Sequence, residues 1–432
     1  MLEKIAQHIA AKGGRAFYVG GYVRNQLMNI DPPDSEDIDI EVYGLAMEEL
    51  QAILSNYGTA RVVGKSFPVI KISGCQKWDF TIPINPDISF AEACGRRDFT
   101  INSMMMDVLN GEVVDIYGGR EDIKAGIIKH TNNNVLETDP LRVYRAMCFA
   151  ARFNFFIHPE TLQLITQTDL KSINKERVYE ELKKLLLLSP RPSTGLRYMQ
   201  KTDLLKRMHP VLFELIGCVQ SPQHHPEGDA WEHTLLVVDQ AARLKARSSN
   251  PEVLMFAALL HDIGKPLTTK VRSNKITTYG HDVLGEKLAC SFLQELTHNK
   301  TIINEVSILV REHMHPILLY KGRENVTNKA IIKLLNRVNL KELLLIAEAD
   351  FMGRHGERNF KVIRNWFLDK VSSLGLKLDD KVEPLVKGRD LVQMGIEPGP
   401  VYTKTLDYAF ELQLEGKDKE VILEEILHYK LK

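Results

Sequence analysis

The chain changes its hydrophobic rhythm once. From Arg15 to about Val114, short alternating runs (RAFYVGG, DIDIEVYG, ARVVG, PVIKIS and WDFTIP) read as strands, and MEELQAILSNYG reads as a helix closed by Gly58. After Asp139 the period becomes helical in LRVYRAMCFAARF, ERVYEELKKLLLL, HTLLVVDQAARLKA and EVLMFAALL, with one short strand possible near residues 275–279. A break at residues 222–229, containing His224, His225, Pro226 and Gly228, divides the helical part. The pattern predicts an α+β chain: a mixed head over 1–138, then an all-α body in three blocks, 139–221, 222–373 and 374–432. No fixed-period repeat or low-complexity tract interrupts it.

Length agrees, because 432 residues exceed the roughly 250–300 that one core serves. The 56 basic and 56 acidic residues cancel, so any contact with nucleic acid must come from local clustering. Five cysteines stand far apart with no C-x-x-C pair, which argues against a disulfide framework or zinc knuckle and points to a reducing cytoplasm. Near the N-terminus Leu2, Ile5 and Ile9 share one helical face with charges between, unlike a signal peptide. No run approaches the ~20 apolar residues of a membrane span, so no membrane partner is expected.

Candidate chemistry in the head begins at Gly20-Gly21, where a strand turns into a helix carrying Arg24. Backbone N–H groups at such a turn can hold phosphate oxygens and an arginine adds a cationic fork, although a plain tight turn has the same letters. Asp37 and Asp39 follow on one strand, and the two-residue period points both carboxylates to one face, roughly 6.5–7 Å apart. Hard cations such as Mg²⁺ take carboxylate and phosphate oxygens, and two of them stabilise an in-line attack on an α-phosphate. A third carboxylate is open between Asp79 and Glu41. Arg96-Arg97-Asp98, followed by Asn102, suits either a triphosphate and sugar or a surface salt-bridge cluster.

In order, Gly20-Gly21-x-x-Arg24, Asp37-x-Asp39, Arg96-Arg97-Asp98 and Asp139-Pro140-Leu141-Arg142-x-x-Arg145 resemble the motifs of class II CCA-adding tRNA nucleotidyltransferases and the related bacterial poly(A) polymerases. The resemblance implies a polymerase-β-like head in which Asp37 and Asp39 hold Mg²⁺. Gly20, Gly21 and Arg24 would hold the triphosphate, and Arg97, Asp98, Asn102 and Arg145 would engage the nucleotide. Asp139 and Arg142 would read the base edge, an acceptor and a donor matched to cytosine and adenine. CTP, ATP and tRNA are the implied partners, and DNA is not expected. A basic stretch from Lys171 to Arg207, through Arg177, Lys184 and Arg197, would track the acceptor arm, and VKGRDLVQMGIEPGP would grip the tRNA elbow.

Three departures touch that expectation. Asn25 replaces a usual Asp, Thr138 replaces a usual Glu, and only residues 84–95 separate WDFTIP from Arg96, with Pro83 near the place of a usual arginine. The short segment resembles that of CC-adding relatives and predicts efficient addition of C but poor addition of A.

Downstream, His233, His261-Asp262, His281, His313 and Asp350 resemble the ligand order of HD-domain phosphohydrolases. That set suits a divalent transition metal, Mn, Ni, Zn or Fe, with Lys265 near the phosphate. The implied function is a template-independent tRNA nucleotidyltransferase with an added phosphohydrolase. Its rivals are a CC-adding enzyme, a poly(A) polymerase, or an HD phosphohydrolase with a non-catalytic RNA-binding head.

Overall fold

The five alternating runs form the first five strands of a seven-stranded sheet. Its strands are β1 (Arg15–Val19), β2 (Ile38–Tyr43), β3 (Ala60–Val63), β4 (Val69–Ile72), β5 (Cys75–Thr81), β6 (Met105–Asp107) and β7 (Val113–Val114), in the order β3-β4-β5-β2-β1-β6-β7. The computed structural model describes residues 1–30, 38–64, 68–83, 85, 88–223, 225–272, 275–354, 356, 359–397 and 399–430. These form two compact units, Met1–His209 and Pro210–Lys432.

In the first unit, β2 shows how alternation positions chemistry. Ile40 and Val42 are buried beneath the helices α1 (Leu2–Ala11) and α2 (Met47–Ser55), with Ile5, Ile9, Leu50 and Ile53. Asp39 and Glu41 therefore emerge on the opposite face. There Phe17, Tyr43, Ile88, Ala93, Cys94 and Met105 make a second core. Part of the short 84–95 segment supplies it: Phe90–Gly95 is a helix whose capping box pairs Ser89 with Glu92. Residues 84, 86 and 87 lie outside the described residues.

Asp139 precedes proline, which disfavours helical backbone, and it is extended (φ −148°). The short helix Val135–Thr138 ends there, and α3 (Arg142–Phe153) starts afresh with the Arg142 N–H on the Asp139 carbonyl. α4 (Lys175–Leu188) and α5 (Pro192–Lys201) pack around α3.

Among its described residues the regular structure of the second unit is helical apart from a small hairpin, Lys270–Arg272 with Lys275–Thr277. Its helices α6 (Ala230–Leu244), α7 (Pro251–Leu260), α8 (His281–Gln294), α9 (Lys300–Glu312) and α10 (Leu340–Met352) centre on α7, buried from Val253 to Leu260. A helix apolar on every side belongs at such a centre. Val386, Leu391, Leu412 and Ile422 form a further core near the C-terminus. Among the described residues, no helix is long and apolar enough to cross a membrane.

Gly195 lets α5 approach α3: a Cβ there would lie 2.5 Å from Leu185 Cδ1 and 2.7 Å from the Met147 carbonyl oxygen. The leucine tip can turn aside, but the backbone oxygen cannot. Gly195→Ala is therefore expected to destabilise the first unit by about 1–3 kcal/mol through overpacking, exceeding the roughly 1 kcal/mol that alanine gains in a helix. Urea denaturation checks this, and unchanged or raised stability would contradict it.

Candidate active sites

A cleft of about 1130 Å³ opens on the first unit and is lined by Gly20, Gly21, Arg24, Asp39, Glu41, Asp79, Arg97, Asp98, Asn102, Asp139, Arg142 and Arg145. Gly20 turns β1 into the helix Gly21–Leu27 with φ 66°, a conformation that favours glycine. A Cβ on it would meet Arg97 Nη1 at 3.0 Å and Asp39 Oδ2 at 3.9 Å, so turn, arginine and carboxylate converge. Asp37 lies outside the described residues. β2 and β5 are parallel with Asp39 opposite Asp79, which puts both carboxyl groups on one face. Asp79 faces Lys71 at 2.9 Å, and Glu41 accepts from Arg97 at 3.0 Å. These oxygens form a hard donor set of the kind Mg²⁺ takes.

Arg24, expected as a cationic fork, lines the cleft from a buried position. Only 2 % exposed, it donates to Asn25 Oδ1 (2.8 and 3.2 Å) and Asn102 Oδ1 (2.6 Å), with its guanidinium 4.7 Å from the centre of the Phe153 ring. Asn102 passes the chain on, donating to Asp98 Oδ1 at 2.9 Å, and Arg145 closes it at 2.7 Å from Asp98 Oδ2. Burial alone would raise the Asp98 carboxyl, but the Arg145 charge and hydrogen bonds from Asn102, Arg145 and the Phe99 N–H hold it below the usual carboxylate range.

Asp139 and Arg142 line the same cleft without pairing. Asp139 accepts from both terminal nitrogens of Arg177 at 3.0 and 3.3 Å. Arg142 donates to the Arg96 carbonyl at 2.8 Å and to the Val135 carbonyl at 3.1 Å; Thr138 donates to the latter as well. These residues also border a second cavity of about 940 Å³. Arg177 was legible only as part of the basic stretch, and its partner lies 38 residues away. Other cations of that stretch are engaged locally, Lys184 by Glu181 and Arg207 by the Thr166 and Thr168 carbonyls.

The second unit gathers all six expected ligand-type residues. His233 lies on α6, His261 caps α7 ahead of Asp262, His281 opens α8, His313 caps α9 and Asp350 lies near the end of α10. Asp262 is central: Oδ2 lies 3.1 Å from His261 Nε2 and 3.9 Å from His233 Nε2, while Oδ1 faces His281 and His313 Nε2 at 3.5 and 3.9 Å. The Nδ1 atoms of His261, His281 and His313 face the carbonyls of Ala258, Thr278 and Val310 at 2.9, 2.7 and 2.6 Å, which turns each Nε2 inward. Those three Nε2 atoms are buried without a hydrogen-bond partner among the described residues, the condition a bound cation would relieve.

Burial would raise Asp262, but His261 and Lys265 hold it well below the usual range; Arg354 and His233 do the same for Asp350. Burial, with His261 and His281 nearby, pushes His313 down to about 3, the neutral form a metal requires. Lys265 reaches Asp262 Oδ2 and Gln220 Oε1, each at 2.5 Å, rather than open space. His225 and Glu227, which the sequence shows only as part of a chain break, also stand beside His233.

Because Asp98 titrates lower when folded than when unfolded, its contribution to stability is present above about pH 4 and is lost as pH falls through the folded value. Asp98→Asn is expected to cost about 2–3 kcal/mol at pH 7, because it removes the charge from a buried hydrogen bond, and clearly less at pH 3. Urea unfolding at both pH values checks this; an equal loss at both would remove the charge from the explanation.

Three family descriptions match the chain: "Poly A polymerase head domain" over residues 79–129, "Probable RNA and SrmB- binding site of polymerase A" over 154–216, and "HD domain" over 230–350. The "Multifunctional CCA protein" of Actinobacillus pleuropneumoniae serotype 5b is 34 % identical over 79 % of this chain and 86 % of its own length. Its namesake from Pasteurella multocida is 31 % identical over 89 % and 92 %. Two solved structures share the fold. The Bacillus stearothermophilus CCA-adding enzyme in complex with CTP has a TM-score of 0.67 at 22 % identity, covering 99 % of this chain and 96 % of that one. The Thermotoga maritima CCA-adding enzyme complexed with tRNA has a TM-score of 0.60 at 20 % identity, covering 100 % and 94 %. Identity and coverage together place the chain in the multifunctional CCA protein family.

Proposed function

We propose that this chain acts in the cytoplasm as a template-independent tRNA nucleotidyltransferase, adding CMP and AMP to build or repair the 3′ CCA end, and that its second unit is a metal-dependent phosphohydrolase. One observation carries the first reading: a single cleft brings the Gly20 turn and Asp39, suited to a triphosphate, together with Asp139 and Arg142, suited to a base edge. Relatives named as CCA proteins at 34 and 31 % identity support it.

Mg²⁺ held by Asp39, with Asp37 and Asp79, would neutralise phosphate charge and activate the attacking 3′-hydroxyl. Gly20 and Gly21 give the phosphates close access to backbone N–H groups. Arg97 stands beside that turn, paired with Glu41, as a phosphate or sugar contact. Asp98, Asn102, Arg145 and Arg24 brace the cleft from beneath. Asp139 accepts from a base amino group and Arg142 donates to the neighbouring ring acceptor, so protein takes the part of a template. Exposed cations such as Lys171, Lys175 and Lys201 are the readiest phosphate contacts for the acceptor arm.

A second reading is favoured by the short 84–95 segment, much of which is a capped helix built into the core. It has the enzyme stop after two C residues. Transcripts ending at the discriminator base, incubated with CTP alone or with CTP and ATP and then sized, separate the readings. The proposal expects +2 products with CTP and +3 with both, and accumulation at +2 with both would establish the CC-adding reading. Asp39→Ala is expected to abolish incorporation; an active variant would overturn the site assignment.

The second unit is proposed to hydrolyse phosphate esters such as 2′,3′-cyclic phosphates or 2′-phosphates, cleaning tRNA ends. A Mn, Ni, Zn or Fe ion held by His233, His261, Asp262, His281, His313 and Asp350 would supply an activated water. His261→Ala Asp262→Ala is expected to lose metal-dependent phosphodiesterase activity while keeping CTP incorporation. Full retention of the phosphodiesterase would refute the assignment.

A further inference from the structure

We infer that Glu227 is a positioning residue for the His-Asp site: its carboxylate fixes the ring and tautomer of His233 so that Nε2 faces one of two metal positions. The inference rests on the metal reading of the second unit proposed above. Glu227 Oε1 lies 2.9 Å from His233 Nδ1 and 2.9 Å from His225 Nδ1, and the side chains of Glu227 and His233 have no exposed surface.

Helix geometry explains why His233 needs this partner. His261 and His313 cap their helices, where the last carbonyls have no intrahelical donor, so Ala258 and Val310 are available to their Nδ1 atoms. His281 opens its helix and uses the Thr278 carbonyl of the preceding turn. His233 lies in the first turns of α6, with its own N–H on the Asp229 carbonyl and Thr234 Oγ1 on that of Ala230. The group facing its Nδ1 comes instead from outside the helix: Glu227 Oε1 lies 2.9 Å away, close enough to hold the ring although out of line for a hydrogen bond. The segment is anchored there, since Asp229 caps α6 and accepts the Gly217 N–H at 2.6 Å, while the Ala230 N–H reaches the Cys218 carbonyl.

A carboxylate is a stronger acceptor than a carbonyl and makes the imidazole a better ligand. His233 Nε2 faces Asp350 Oδ1 at 3.0 Å and Asp262 Oδ2 at 3.9 Å. It therefore belongs to the position shared with His261 and Asp262 Oδ2, beside Asp350, not to the one between Asp262 Oδ1, His281 and His313. Loss of Glu227 should weaken one metal position and spare the other.

The test is Mn²⁺ binding to the full chain by calorimetry and electron paramagnetic resonance, with the thermal midpoint of the metal-free protein as the folding control. The wild type is expected to bind two ions. Glu227→Gln should weaken one of them roughly 10–100-fold, leaving the second affinity and the midpoint unchanged. Glu227→Ala should weaken the same ion at least as much. Equal weakening of both ions, or unchanged affinities in Glu227→Ala, would overturn the inference while leaving the metal reading standing. So would a third wild-type ion abolished by Glu227→Ala, since Glu227 would then be a ligand itself. A wild type that takes up no Mn²⁺ would overturn the metal reading, and this inference with it.

Discussion

Asp98 holds the first unit's cleft together. It is a carboxylate at 5 % exposure, and guanidinium groups from opposite sides reach it, Arg145 directly and Arg24 through Asn102. A buried charge persists only when paired and hydrogen-bonded, so this chain of groups is satisfied as a whole. Its consequence is mechanical: the phosphate turn after β1 and helix α3, which follows Asp139, share one polar spine. The groups proposed to bind phosphate and to read the base can then keep a common frame although more than a hundred residues separate them.

The second unit answers the same constraint in the opposite way. Around Asp262 the Nε2 atoms of His261, His281 and His313 face inward without a hydrogen-bond partner among the described residues, and the same three imidazoles turn their outer nitrogens to backbone carbonyls. A fold tolerates such unmet valence only where something else completes it. One unit hides its charges in a closed network to brace a cleft, while the other stores open coordination.

Most of the fold was legible because its signals are local. The period-2 runs mark β1 to β5, and the all-apolar stretch at 253–260 marks the central helix. β6 and β7, three and two residues long, are too short for alternation to register. Site partners were legible where ordered motifs carry them and illegible where they depend on long-range approach. Asp139 and Arg142 share one motif, but Pro140 keeps Asp139 out of the helix that Arg142 opens, and Arg177, 38 residues on, takes the carboxylate. The fork expected of Arg24 lies in the cleft, but the Phe149 and Phe153 rings beside it, more than a hundred residues away, leave no trace in its motif. Glu227 sits in a His-Pro-Glu-Gly run whose only local message is a turn.

The backbone acceptors behind His261, His281 and His313 also bear on how the site can change over time. A main-chain carbonyl survives almost any substitution of its own residue, so the aim of these three rings is insulated from point mutation. The setting of His233 is not, because it depends on a side chain from another segment. On the metal reading proposed above, a substitution at Glu227 would reset one ring without changing any of the proposed ligands.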